Sequence, residues 1–153
     1  MKNEKRALKQ LVKTLDQLQA TSRVFRELEE AAANEAGGQS IARWQVLHTA
    51  SSGKCTVPDI ARRLGLTRQS VQRVAHALVN DKLASLAPNP NRRNSPYLQL
   101  TLLGCQTWAS ITHSLEQRLI KSSVGVDRKK LKSARRELRA LQTAAEEATT
   151  SRG

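Results

Sequence analysis

The chain has 153 residues, enough for one domain or one domain with extensions, and 39% hydrophobic residues with which to build a core. Aromatics are only 3%, so that core must come from Leu, Val, Ile and Ala, and no apolar run approaches the roughly 18 residues of a membrane span. The formal charge is +13, split as +1 over residues 1–36, +7 over residues 37–101 and +5 over residues 102–153. An excess that peaks mid-chain is the electrostatic footprint of a polyanion binder. A membrane-surface role would also require a helix with bulky aromatics on its apolar face, and none is visible. The charged, helical start of the chain, Met1 to Lys13, lacks an apolar signal-peptide core, so a cytoplasmic protein is expected.

About Glu4 to Ala36 contains no Gly or Pro and reads as one long helix. Leu8, Leu11, Leu15, Leu18, Ser22 and Phe25 alternate steps of three and four, a heptad seam that Val12 and Leu28 widen. A 30-residue helix is about 45 Å long, more than a domain this small needs for its own core. Gly37-Gly38 stops it.

Residues 56–82 parse as helix, tight turn, helix. Thr56 can cap a helix, with Asp59 three positions on to return the hydrogen bond, and Pro58 is tolerated in the first turn. Ile60, Ala61 and Leu64 share one face. Gly65 stands where the chain must turn, and Leu66 is expected to plug the gap between the helices. Thr67 is a second N-cap, starting a helix at about Arg68 in which Val71, Val74, Ala75 and Leu78 form the buried stripe. Thr67, Arg68, Gln69, Ser70, Gln72 and Arg73 then lie on the other faces. Arg, Gln and Ser are the side chains that reach base edges and phosphates from a recognition helix in the major groove. An ordinary helical hairpin with a solvated polar face is the alternative.

After Asp81-Lys82, Leu83 to Ala87 alternates as a short strand and Tyr97 to Leu100 as its return. Between them, three prolines and three asparagines in Pro88–Pro96 break both helix and strand. Asn91, Arg92 and Arg93 thus fall at the tip of a loop without an acidic residue. A like-charge pair there is costly unless an anion neutralises it. A strand, basic loop and strand behind a helix-turn-helix is the layout of a winged helix-turn-helix DNA reader.

These segments resemble the MarR family of bacterial regulators. The matching elements are Arg43-Trp44-Gln45-Val46-Leu47, then Ile60 through Thr67, Val79 through Leu83, the wing, and Leu100-Thr101-Leu102-Leu103-Gly104. The resemblance covers about residues 40 to 115 by motif and the whole chain in length and helix order. It departs at the wing, where the family commonly has an Asp ahead of the tip arginine and this loop has Asn89 and Asn91. The fold class expected is mainly α, with a two- to three-stranded β-wing and long terminal dimerisation helices. The parts are an N-terminal dimerisation helix over 1–36, the DNA-binding region over 37–101 and C-terminal dimerisation helices over 102–153, integrated as one domain.

Trp108, Ile111, Leu115 and Leu119 mark a further helix. Leu131, Ala134, Leu138, Leu141 and Ala145 repeat the three-four spacing in the last one. Either these stripes pack within one chain, or Leu8, Leu11, Leu15, Leu18, Leu131, Leu138 and Leu141 meet a second subunit; the resemblance implies the homodimer. It also implies a small-molecule effector bound between the dimer helices and the reader, where Trp44, His48 and Trp108 are the candidate lining; a plain core role for each is the alternative.

Cys55 and Cys105 are 50 positions apart and, with His48, His76 and His113 scattered, match no metal spacing. Two half-buried free thiols are expected, with oxidant sensing as the competing role, since some members of the family sense oxidants through thiols. No cofactor is implied, and no nucleophile–base pair, carboxylate pair or phosphate-cradling Gly loop points to an enzyme. The expected partner is double-stranded DNA, bound by a transcriptional regulator, with repression of a palindromic operator as the leading mode. A rival survives in Arg128, Lys129, Lys130, Lys132, Arg135, Arg136 and Arg139 of the last helix, which suit a nucleoid-type or replication-accessory protein that binds DNA without sequence choice.

Overall fold

The computed structural model describes residues 2–121, 125 and 127–150. Among the described residues, six helices and three short strands run in the order α1 (Lys2–Gly37), α2 (Ile41–Ser51), β1 (Cys55–Thr56), α3 (Val57–Leu64), α4 (Arg68–Asn80), β2 (Ala84–Ala87), β3 (Tyr97–Leu100), α5 (Leu102–Lys121) and α6 (Arg128–Thr150). The mainly helical class with a small wing is therefore observed. The chain divides into two units, Met1–Arg118 and Leu119–Gly153.

Local chemistry sets the boundaries. The α1 helix ends at Gly38, whose φ of 58° lets its N–H turn back to the Asn34 carbonyl. Ser40 caps α2 through its Oγ and the Arg43 N–H. At α3 the expected capping box is complete: Thr56 Oγ1 accepts from the Asp59 N–H, and the Asp59 carboxylate accepts from the Thr56 N–H at 3.1 Å. Gly65, left-handed at φ 64°, closes α3 as its N–H reaches Arg62 and that of Leu66 reaches Ala61. The same reversal closes α4, with Lys82 N–H on Val79 and Leu83 N–H on Leu78. Here the left-handed residue is Lys82, at φ 59°, where a side chain opposes the geometry.

The sheet order is β1-β3-β2, all antiparallel. Leu98 is its centre, paired with Cys55 on one side and Leu86 on the other. The main core gathers Leu47 of α2, Ile60 of α3, Val71 and Leu78 of α4 and Leu98 of β3, all fully buried. A second cluster joins Ala32 and Ala33 of α1, Trp44 of α2 and Ile111 of α5. Near it, Ser110 Oγ donates to the Ala36 carbonyl at 3.2 Å, while Ser114 and Arg118 both engage Glu35.

Two expectations need correction. Leu66 does not plug the helix-turn-helix gap; its N–H closes α3 on the Ala61 carbonyl while its side chain is exposed. The cysteines are not both half-buried: Cys55 is buried in the sheet core and Cys105 is exposed on α5. No helix among the described residues is long and apolar enough to cross a membrane.

Candidate nucleic-acid interface

Helix α4 has two chemically distinct faces. Val71, Ala75 and Leu78 turn inward to the core. That fixes Arg68, Gln69, Gln72 and Arg73 outward, all exposed, where they line one concave surface with His76. His76 was not singled out from sequence. Its signal was available, since four residues after Gln72 is the next position on the same helical face. In the structure Gln72 Nε2 lies 2.7 Å from His76 Nε2, within hydrogen-bond distance.

Thr67 and Ser70, grouped with these from sequence, do a different job. Thr67 Oγ1 accepts from the Ser70 N–H at 3.2 Å and donates to Ser70 Oγ at 2.9 Å. Both hydroxyls are engaged in capping α4. The uncapped N–H groups of that first turn and the helix dipole make this end of α4 electropositive without any side-chain charge.

The wing stands beside the helix. Val57 and Pro58 of α3, Arg68 and Gln72 of α4, and Asn94, Ser95 and Pro96 of the wing loop line a common cleft. Asn89, only 7% exposed, organises the loop. Its Nδ2 donates to the Ser95 carbonyl at 2.9 Å, and its Oδ1 accepts from the Asn91 N–H at 3.1 Å. Its own carbonyl accepts from the Arg92 N–H at 3.2 Å. An asparagine thus shapes the turn that presents the exposed Asn91, Arg92 and Arg93. Among the described residues neither arginine has a carboxylate partner.

The supports of the reader carry their own pairs. Arg43 of α2 donates to Asp81 at the end of α4 at 2.5 Å and to Gln39 at 2.6 Å. Asp59 is held below the usual carboxylate range, first by the hydrogen bond from the Thr56 hydroxyl, then by the Thr56 N–H and by Arg62.

The three residues suspected of lining an effector pocket come together between α2 and α5. Trp44 stacks on His48 at 5.0 Å between ring centroids, and Trp108 Nε1 donates to His48 Nδ1 at 3.2 Å. Trp44 is buried and its indole N–H finds no acceptor among the described residues. Burial pushes the Glu29 carboxyl of α1 up, opposed by a hydrogen bond from Gln45 and by the nearby His48 and Arg26.

The proposed interface residues are open in the single chain. Leu8 is 61% exposed, Leu11 38% and Leu15 47%; on α6 Leu131 is 56% and Leu138 41% exposed. Leu18 and Leu141 are half-buried. Among the described residues no group of three or more His, Cys, Asp or Glu is placed to hold a metal ion.

Comparison with known proteins agrees with this geometry. Residues 39–93 match the family model described as MarR family. Over 84 residues the chain is 51% identical to the uncharacterized protein Rv2011c of Mycobacterium tuberculosis, a match taking in 55% of this chain. The chain spans just over half, 57%, of that relative's length. Among solved structures, the MarR family transcription regulator SP03579 superposes with a TM-score of 0.73 at 18% identity, over 95% of this chain and 96% of that one. CouR from Rhodococcus jostii RHA1, solved bound to p-coumaroyl-CoA, gives 0.71 at 14% identity, over 81% and 87%. Residues 39–93 are thus similar to the MarR family, in a chain whose fold is that of the solved MarR family transcription regulator.

Proposed function

We propose that this chain is a sequence-specific, duplex-DNA-binding transcriptional regulator that acts as a homodimer on an inverted-repeat operator and represses by occluding it. One observation carries the reading: α4 exposes Arg68, Gln69, Gln72 and Arg73 on a single face, beside a wing whose two arginines have no acidic partner among the described residues. Arg and Gln are the side chains that make bidentate contacts to guanine and adenine edges in the major groove. Wing arginines beside such a helix suit the phosphate backbone or the adjacent minor groove.

The open leucines support the homodimer. Leu8, Leu11 and Leu15 on α1, and Leu131 and Leu138 on α6, form seams left uncovered among the described residues of one chain. A second copy removes that apolar surface from water at roughly 25 cal/mol per Å². Two recognition helices related by a two-fold axis then read half-sites with centres about 10–10.5 bp apart, or a multiple.

An effector site belongs to the same proposal. It would lie at Trp44, His48 and Trp108, where a buried indole N–H lacks an acceptor among the described residues. A solved neighbour of the same fold, CouR, holds an aromatic acyl thioester. A small aromatic ligand would release DNA by favouring the incompetent dimer, and a coupling of about 1–3 kcal/mol would change affinity some 5- to 150-fold.

The test is selection of bound duplexes from a random library, followed by footprinting on the enriched sequence. An inverted repeat with half-sites spaced by one or two helical turns supports the reading. Recovery of unenriched DNA would leave a binder without sequence choice in its place.

A further inference from the structure

Helix α6 carries its charges in the reverse of the arrangement that stabilises a helix. Its first turns hold Arg128, Lys129, Lys130 and Lys132, and its C-terminal end holds Glu146 and Glu147. The positive end of the macrodipole is at the N-terminus, so cations there and anions at the far end both oppose it. Asp127 alone offsets this, accepting from the Lys129 N–H at 2.8 Å. The basic residues also repel one another, because Arg128 and Lys132, Lys132 and Arg136, and Arg135 and Arg139 are each four positions apart.

Projected at about 100° per residue, the charges are not spread evenly. Arg128, Lys129, Lys132, Arg135, Arg136 and Arg139 occupy one arc about 120° wide. Leu131, Ala134, Leu138, Leu141 and Ala145 occupy another, centred about 140° away. All six basic residues are exposed, and among the described residues only the Arg136 side chain is ion-paired, to Glu137 at 3.1 Å. If the apolar arc is covered by a second copy, the basic arc stays open to solvent. An arrangement that burdens the helix internally is relieved when a polyanion lies along it.

We infer that the basic arc of α6 is a second nucleic-acid contact, independent of base reading, that binds the phosphate backbone. The arc runs about 16 Å along the helix axis, and duplex DNA presents one negative charge for every ~1.7 Å of its own axis. Four of the six cations are arginines, whose planar fork takes phosphate oxygens in pairs. An anionic lipid surface fits less well, because the apolar arc holds Leu and Ala and no aromatic residue to enter a headgroup layer. The inference rests on the proposed role as a duplex-DNA binder but not on the operator or the recognition helix.

The experiment uses the full chain and a fluorescein-labelled random-sequence duplex, titrated at several salt concentrations. The variant Lys132→Gln/Arg135→Gln/Arg136→Gln/Arg139→Gln keeps helix-forming side chains and removes four charges. The slope of log K against log salt should become shallower by about 2–4 units, near 0.9 for each phosphate no longer neutralised. Circular dichroism and sedimentation should match the parent. Lys130→Gln, outside the arc, should leave the slope in place. If the fourfold variant misfolds, Lys132→Gln/Arg139→Gln should still lower the slope by about 1–2 units. An unchanged slope in folded variants overturns the inference, as does loss of binding to phosphatidylglycerol vesicles without change on DNA. A shallower slope in a protein that selects no operator would uphold α6 and sink the proposed regulator. Operator selection with an unchanged slope would do the reverse.

Discussion

A methyl group placed on Gly104 would sit 1.8 Å from the backbone carbonyl oxygen of Leu83. The start of α5 therefore lies directly against the turn that ends α4 and opens the wing. Thr101 reinforces that junction: its Oγ1 donates to the Lys82 carbonyl at 2.6 Å and accepts from the Gly104 N–H at 3.0 Å. The Leu-Thr-x-x-Gly spacing thus serves a close backbone approach. Gly104→Ala must displace main chain rather than a flexible side chain and should cost about 1–3 kcal/mol in urea unfolding. A midpoint equal to the parent's would mean the junction is slack.

Acid should loosen the reader at Asp59. Its folded-state carboxyl lies below the ordinary value, so its stabilising effect is present above the unfolded pKa near 4 and is lost as pH falls through the lower folded value. Asp59→Asn breaks the charge-assisted half of the capping box and should cost about 0.5–2 kcal/mol at pH 7. The gap between parent and variant should narrow below pH 4. A constant gap across that range would assign the loss to packing instead.

On DNA, the α4 face should discriminate. Gln69→Ala or Arg73→Ala should cost about 1–3 kcal/mol on a selected operator and less on random duplex. Equal losses on both would restrict these side chains to phosphate contacts.

The wing should act without regard to sequence. Arg92→Ala with Arg93→Ala should weaken operator and random DNA alike and make the salt slope shallower by about 1–2 units. Asn89→Ala removes the side-chain hydrogen bonds that define the loop without removing charge: it should weaken binding while leaving the slope close to the parent's. If both variants bind as the parent does, the loop is off the DNA.

Leu11→Asp with Leu15→Asp would bury unpaired charge at the proposed seam, at a cost of several kcal/mol. Sedimentation of the parent should give twice 16.9 kDa and the variant should dissociate or unfold. A parent that runs as a monomer at micromolar concentration removes the interface from these leucines.

The features legible in the sequence were those whose cause lies within a few residues. Thr56 with Asp59, the N-cap Thr67, and Gly65 are short-range devices, and the helices they delimit begin and end where their residue types require. The polar face of α4 followed from the spacing of Val71, Ala75 and Leu78. What escaped notice depends on distant partners. The two-residue strand Cys55–Thr56 exists because Leu98 and Tyr97 pair with it. The left-handed Lys82 carries no glycine to announce it. The role of Asn89 depends on Ser95 returning across the loop. Leu66 reads as core by composition and is exposed in the folded chain.

The chain contains two tryptophans, and both flank the His48 ring. Its near-ultraviolet emission is consequently a local signal. Its indole emission reports the packing of α2 against α5, and a spectral shift on adding a ligand or duplex would register movement there while leaving α6, which carries no aromatic residue, optically silent. The molecule is supplied with an internal gauge at the place where its proposed control would be exerted, and no label need be attached to read it.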